Sequence, residues 1–460
     1  MAVHFLNFEY KIEIGNNIRY KEVGMSNPKL SSYFESRKPS AIRLAQIEFA
    51  KRTDDVDAIN TAIGNVSLPI HPAIKERLFN LASSGSPFEE GIVKYTASVG
   101  MEETRKTFLH IISSSGFNTD GLSVLITDGG SQSMELIMLA VCGPAGSPES
   151  PLLLIDPAYT NYKAFAGRLG RNTVSVKRKL LDNGKFTLPD ISEIERQIEK
   201  HNPGALVVIP YDNPTGHFCD LEAMTILGKL CVKHNMWMIS DEAYREFHYG
   251  GSKASSVWEL TNEIIPGIEG RRVSIETASK VWNGCGLRIG ALITDNKQLH
   301  EKSVAEYTAN LCANAVGQYA FAGLLEESHD DLQAWYHKQR THYRSMMSVL
   351  RFTMLEELPG IIISSPDAAL YSVIDVKNIA KPGFKCMDFV LYCATKGKIE
   401  IGGEYFTLLV APMSGFYSMD EGQINPGDTQ MRVAYIERPE RMVLIPRLFM
   451  KLFQEFEENR

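Results

Sequence analysis

Among the side chains that could do chemistry, Lys280 has the most informative surroundings. It lies in the stretch Thr277 to Gly290, TASKVWNGCGLRIG, just after Val273 to Glu276, where Val and Ile at alternate positions predict a short buried strand. Lys280 therefore falls just past a strand end. Thr277 and Ser279 place hydroxyls beside it, and Arg288 follows between Gly286 and Gly290. An amine in that setting can condense with an aldehyde, while hydroxyls and a guanidinium can hold a phosphate. Gly284-Cys285-Gly286 imitates the opening of a dinucleotide-binding turn. Its third glycine comes one residue late, at Gly290, and no helix-opening acidic pattern follows, so the spacing argues against a nicotinamide cofactor.

The elements that must position Lys280 can be read on either side of it. Leu122 to Thr127 predicts an apolar strand, followed by Asp128-Gly129-Gly130-Ser131-Gln132 and a helical run from Met134 to Val141. Unpaired N–H groups and the dipole at such a helix start favour an anion, so Gly130, Ser131 and Gln132 are candidate phosphate ligands. Leu152 to Ile155, Leu206 to Ile209 and Trp237 to Ser240 predict further strands. They end, in turn, in Asp156-Pro157-Ala158-Tyr159, Tyr211-Asp212-Asn213-Pro214-Thr215-Gly216 and Asp241-Glu242-Ala243-Tyr244. Strands alternating with helices from about Leu122 to Gly290 predict a mostly parallel sheet with its ligand at the C-terminal edge.

After Gly290 the pattern predicts helix through Lys302 to Leu350. A smaller α+β unit then follows, with strands at Gly360 to Ser364, Leu370 to Val376 and near Leu408 and Met431, and a helix over Phe384 to Gly397. Ser40 and AIRLAQIEFAKR predict a helix leading to Asn60-Thr61-Ala62-Ile63-Gly64-Asn65. Phe5 to Ile14 alternates, meets Gly15-Asn16-Asn17 and continues in Ile18 to Val23, a hairpin-like terminal arm. The expected fold is α/β: a large domain with a mostly parallel sheet flanked by helices, plus a smaller α+β domain formed from both termini. Its expected parts are residues 1–59 (arm and part of the small domain), 60–325 (large domain) and 326–460 (small C-terminal domain).

These motifs, in this order, resemble the class I/II pyridoxal-phosphate aminotransferases, the aspartate aminotransferase superfamily of fold type I, over roughly residues 40 to 440. Thr277, Ser279, Lys280, Gly286, Arg288 and Gly290 fit its S-x-S-K, five residues, G-x-R-x-G signature, with Thr for the first Ser. The resemblance implies that Lys280 carries pyridoxal 5'-phosphate, with Thr277, Ser279, Arg288, Gly130, Ser131 and Gln132 around its phosphate. Tyr159 would lie on the ring, and Asn213 and Tyr244 would meet the phenolic oxygen. Asp241, in the D-x-A-Y motif, would keep the pyridine nitrogen protonated, which makes the ring an electron sink. Lys280, Asp241 and Tyr244 are the implied catalytic residues. Arg432, Gly64 and Asn213 would bind substrate, Arg432 by clamping its carboxylate bidentately. Tyr95, in KYTASVGMEETRKTF, matches a tyrosine that reaches the cofactor phosphate of the other subunit, implying a homodimer with shared sites. Pro366 to Tyr371 and Pro412 to Phe416 depart from the family pattern near the substrate pocket, which leaves substrate choice open.

The chain of 460 residues, 44% hydrophobic and 22% charged, is long enough for two domains. Its formal charge of -7 argues against a nucleic-acid partner. Seven scattered cysteines have no metal-ligand spacing and read as free thiols of a reducing compartment, and no metal is expected. The N-terminus lacks the layout of a signal peptide and no apolar run reaches the ~20 residues that span a bilayer, so the expected location is cytoplasmic, away from membranes. In that setting Asn65-Val66-Ser67 is not expected to be glycosylated. The expected function is transfer of an amino group between an L-amino acid, of aspartate or aromatic type, and a 2-oxo acid such as 2-oxoglutarate. A carbon–sulfur lyase or other non-transaminating relative is the alternative enzyme. A cofactor-sensing regulator is disfavoured because no helix-turn-helix or basic arm precedes residue 40.

Overall fold

The computed structural model describes residues 28–66, 68–251 and 253–460. The hairpin expected over Phe5 to Val23 lies outside them. The chain forms two compact units, Met1–Pro39 and Ser40–Arg460. Described residues of the first include a short helix, Ser32–Glu35, capped by the Ser31 hydroxyl. The second unit carries the sheets.

Its first strand, β1 (Asp57–Asn60), is followed by the strands of one large sheet: β2 (Ser123–Thr127), β3 (Leu152–Asp156), β4 (Thr173–Lys177), β5 (Ala205–Val208), β6 (Trp237–Asp241), β7 (Arg272–Thr277) and β8 (Gly290–Thr294). They lie in the order β2-β8-β7-β6-β5-β3-β4. All run in one direction except β8, which is antiparallel to both β2 and β7. Every residue of β3, β5 and β8 is buried, the mark of strands covered on both faces. On one face Met134, Ile137 and Met138 of the helix Gly130–Cys142 pack in a cluster with Leu125, Leu152 and Ile275. On the other, Met224 and Leu227 of the helix Leu221–Lys233 pack in a cluster with Leu206, Met238 and Ile293. The mostly parallel, helix-covered sheet expected from the alternation is present.

Strands that share a direction deliver their following turns to one edge. The turns after β2, β3, β5, β6 and β7 therefore emerge together, and β8, running the other way, begins at that same edge. Arg288 precedes β8 and so returns to the place that Lys280 leaves. Gly290 permits this return: a Cβ there would stand 2.6 Å from the Gly129 carbonyl carbon and 2.7 Å from the Gly130 nitrogen. β8 was not expected. Where the sequence pattern continued into helix after Gly290, the chain first forms this strand and then the helices Lys297–Tyr307, Ala315–Ala322 and His329–Glu357. The run Ala291-Leu292-Ile293-Thr294 has no alternation because both of its faces are buried.

The C-terminal part holds β9 (Ile362–Ile363), β10 (Tyr371–Asp375), β11 (Ile399–Ile401), β12 (Glu404–Leu409), β13 (Ala411–Pro412) and β14 (Gln430–Ala434). They form two small sheets, β1-β12-β11 and β13-β14-β10-β9. β1 pairs parallel with β12, so both ends of the chain build the smaller part. The expected helix over Phe384 to Gly397 spans Cys386–Thr395. Leaving β1, Thr61 N donates to Leu409 O (2.8 Å) and Thr61 O accepts from Ala434 N (2.9 Å). These bonds carry the Ala62-Ile63-Gly64 segment from the small sheets to Lys280.

Candidate active site

A cavity of about 150 Å³ opens at the shared edge of the large sheet, lined among others by Lys280, Asp241, Asn213 and Tyr244. Buried charge fixes the turns that carry them. Arg245 bonds Glu242 (2.7 Å) and Glu276, tying the ends of β6 and β7 together. Arg178 pairs with Asp212 (2.8 Å), and both are buried beside Asn213.

Lys280 Nζ donates to the Gly64 carbonyl and lies 3.8 Å from Cys285 Sγ. Gly64 has to be a glycine here. A Cβ would collide with the Tyr371 hydroxyl and stand 3.4 Å from Lys280 Nζ. The Thr277 and Ser279 hydroxyls are 2.8 Å apart and line the cavity with Gly130, Ser131 and the exposed Arg288. Arg288 adopts a left-handed backbone (φ 52°) and donates to the carbonyls of Cys285 (3.1 Å) and Asp128 (3.3 Å). Gly129 (φ 81°) lets it pass, since a Cβ there would overlap the guanidinium. Hydroxyls, guanidinium and the start of the helix Gly130–Cys142 thus converge on one side of the cavity, as an anion site requires. Gln132 is half-buried one step further along the helix and does not line the cavity.

Asp241 lies across the floor. Its carboxylate accepts from the Tyr162 hydroxyl and from Ala243 N (3.2 Å), and no cation pairs with it among the described residues. Enclosure raises its pKa above the usual carboxylate value, opposed by the Tyr162 and Ala243 hydrogen bonds. Tyr159 lines the cavity, packs edge-on to Tyr162 (5.5 Å) and has its pKa pushed up to about 12, chiefly by burial.

The opposite wall is a chain of polar groups. Asn213 Nδ2 donates to the Tyr244 oxygen (3.3 Å), and Tyr244 and Tyr371 share a hydrogen bond of 2.7 Å. Arg432, 3% exposed, donates to Asn213 Oδ1 (2.8 Å) and Ala62 O (2.7 Å). Its guanidinium stacks 4.5 Å from the Tyr371 ring centroid, and its Nε has no hydrogen-bond partner. Arg432 is therefore a buried cation held by neutral groups, with no carboxylate partner among the described residues.

Tyr95 stands apart: it is 78% exposed and does not line this cavity. Tyr162, Tyr371 and Cys285 belong to the site but were not singled out from sequence. Tyr162 had a usable signal, lying one helical turn beyond Tyr159. Tyr371 closes the Pro366 to Tyr371 motif, where a substrate contact was expected without a role for its hydroxyl.

A sheet-edge lysine with an anion cradle on one side and a buried arginine on the other defines an enzyme acting on small anionic molecules. Comparison with known proteins makes the class specific. The family model of aminotransferase class I and II matches residues 59–419, and the chain belongs to that family. The aspartate aminotransferase of Sulfurisphaera tokodaii is 25% identical over 388 residues, covering 83% of this chain and 91% of that one. In fold, the chain is similar to Thermus thermophilus aspartate aminotransferase with maleate (TM-score 0.74, 20% identity, 92% and 100% covered). It is also similar to Pyrococcus horikoshii kynurenine aminotransferase (TM-score 0.74, 17% identity, 93% and 97% covered). The protein is a transaminase of a family that works with pyridoxal phosphate. These similarities do not favour the lyase alternative.

Proposed function

We propose that this cavity holds pyridoxal phosphate and that the enzyme moves an amino group between an L-amino acid, of aspartate or aromatic type, and a 2-oxo acid such as 2-oxoglutarate. The observation that carries the proposal is Asp241, an enclosed carboxylate without a cation, facing the same cavity as Lys280. A protonated pyridine nitrogen is the missing positive charge. The phosphate fits the other side, where Thr277, Ser279, Arg288, Gly130 and Ser131 would hold it, with Tyr159 against the ring and Asn213 and Tyr244 at the phenolic oxygen. When bound, the cofactor supplies an aldehyde that condenses with amines and a ring that takes up the electron pair released as the Cα proton leaves.

The chain's own residues do the rest. Arg432 binds the substrate carboxylate through its fork, replacing neutral partners by a charge-assisted pair. That contact and Gly64 fix the Cα–H bond toward Lys280. The Lys280 amine, freed by the incoming substrate amine, would take the Cα proton as a base and pass it on as an acid to the carbon that bore the cofactor's aldehyde, and in the reverse half it would run the same two transfers backward. Asp241 holds the positive charge that makes proton loss feasible, and Tyr162 holds Asp241.

The homodimer with shared sites rests on Tyr95, which is exposed and does not line the cavity of its own chain. A cytoplasmic location rests on the free thiols; among the described residues no helix is long and apolar enough to cross a membrane. Borohydride reduction of the holoenzyme should label Lys280, and Lys280→Ala should lose the visible band of the bound aldehyde; label on another lysine, read by mass spectrometry, would reject the assignment. A panel of amino donors with 2-oxoglutarate tests the reaction.

A further inference from the structure

In the function proposed above, Lys280 works as a base once its amine is free, and a base has to aim its lone pair. A neutral amine carries two N–H bonds and one lone pair. Whatever accepts the two N–H bonds therefore decides where the lone pair points. Among the described residues Lys280 Nζ has two hydrogen-bond partners, the Gly64 carbonyl and Cys285 Sγ (3.8 Å), and both accept. The hydrogen of the Cys285 thiol is committed elsewhere, to Ser279 O (2.7 Å), which leaves only sulfur lone pairs for the lysine. The two acceptors come from different parts of the chain, Gly64 from the segment after β1 and Cys285 from the turn after β7.

That turn is wound so that Cys285 comes back to the lysine five residues before it. Gly284 N donates to Ala278 O (3.0 Å), and Asn283 N donates to Lys280 O (3.2 Å). Asn283 takes a left-handed backbone (φ 56°), and its Nδ2 ties the turn to Pro69 O (2.9 Å). A short helical turn, Cys285–Leu287, follows and leads to Arg288. Cys285 itself is half-buried and lines the catalytic cavity.

We propose that Cys285 is a positioning residue for the proton transfer. With the Gly64 carbonyl it takes both N–H bonds of the freed Lys280 amine and leaves the lone pair as the one valence directed at Cα. This rests on Lys280 as the base of the transaminase reading and deepens it. The Cα proton goes to that lone pair, and the third N–H so formed is the one passed on. Cys285 neither gains nor loses a proton in the step. Sulfur is a weak acceptor, so losing it slows the transfer without abolishing it.

The test compares two rates in the holoenzyme. Hydroxylamine, which removes the bound aldehyde by attack at its carbon, reads cofactor seating and access without any Cα proton transfer. The deuterium-sensitive phase of a single turnover, with a Cα-labelled amino donor and no acceptor, reads the transfer itself. In Cys285→Ala the ratio of transfer rate to hydroxylamine rate should fall about two- to tenfold, the range set by one hydrogen bond of modest net strength. Cys285→Ser should restore most of it, because a hydroxyl can also donate to Ser279 O and accept from the lysine. An unchanged ratio in Cys285→Ala overturns the proposal, as does an equal fall in both rates or the same loss in the Ala and Ser variants. If wild type gives up its aldehyde to hydroxylamine but shows no deuterium-sensitive phase with any of a panel of L-amino acids, the transaminase reading fails and the positioning role falls with it. A wild type that has this phase, with variants that match it, removes the positioning role alone.

Discussion

Asp241 and Arg432 are the two charges whose placement makes least sense without a ligand. Asp241 is enclosed with a hydroxyl and a backbone N–H as partners, and Arg432 is buried against neutral acceptors. Removing either charge tests a different step. Asp241→Asn keeps the shape of the floor and one of its two acceptor oxygens but cannot hold a positive charge, so cofactor should stay bound while kcat falls on the order of 10³-fold. A near-normal rate, measured at saturating substrate, would make the carboxylate structural. Arg432→Leu should chiefly raise KM, because losing one partner of a buried charge pair costs about 2 to 5 kcal/mol. An unchanged KM would move the carboxylate clamp elsewhere. Both residues were legible in the sequence because each sits in a motif at a strand. Tyr162 and Tyr371 were harder: the first reaches Asp241 from a helix, and the second arrives at Tyr244 from a different sheet.

At the scale of elements, the strands that end in site residues were readable because β3 and β5 to β7 are short apolar runs with polar ends. β8 shares that apolarity but opens on Gly290 and is followed closely by helix, which hid it. The pairing of β1 with β12 could not be read either, because its partners lie at opposite ends of the chain. The helix Pro72–Phe79 offers a test of how burial couples to stability. His71 is its N-cap, with Nδ1 accepting from Ala73 N (3.2 Å) and the ring edge-on to Trp335 (4.7 Å). Burial lowers its pKa from 6.5 to about 4. Between those values the unfolded chain binds a proton that the folded one refuses. The contribution of His71 is therefore full above pH 6.5 and is lost as pH falls toward 4. His71→Asn keeps a capping oxygen and removes the titration. Urea midpoints measured from pH 4.5 to 7 should rise less steeply with pH than in wild type. His217, which burial lowers to about 3, titrates in both proteins and preserves part of the slope. Identical slopes would mean that folding leaves the titration of His71 unshifted.

At the scale of the whole molecule, the position of Tyr95 makes a prediction about assembly. The described stretch around it is rich in exposed apolar side chains: Ile92 (49% exposed), Val93 (62%) and Tyr95 itself. Such a cluster is costly to leave in water and suits burial against a second copy. If Tyr95 completes the partner's phosphate site, each site takes Lys280 from one chain and Tyr95 from the other. Lys280→Ala chains and Tyr95→Ala chains should each be weak or inactive alone. In a hetero-pair, the site built on the first chain carries both lesions. The site built on the second keeps its own Lys280 and borrows an intact Tyr95. Co-refolded mixtures should then regain activity approaching one intact site per hetero-pair, an outcome independent sites cannot produce. If mixing restores nothing although native mass spectrometry shows hetero-pairs, Tyr95 acts within its own chain or not at all, and the shared-site dimer is wrong.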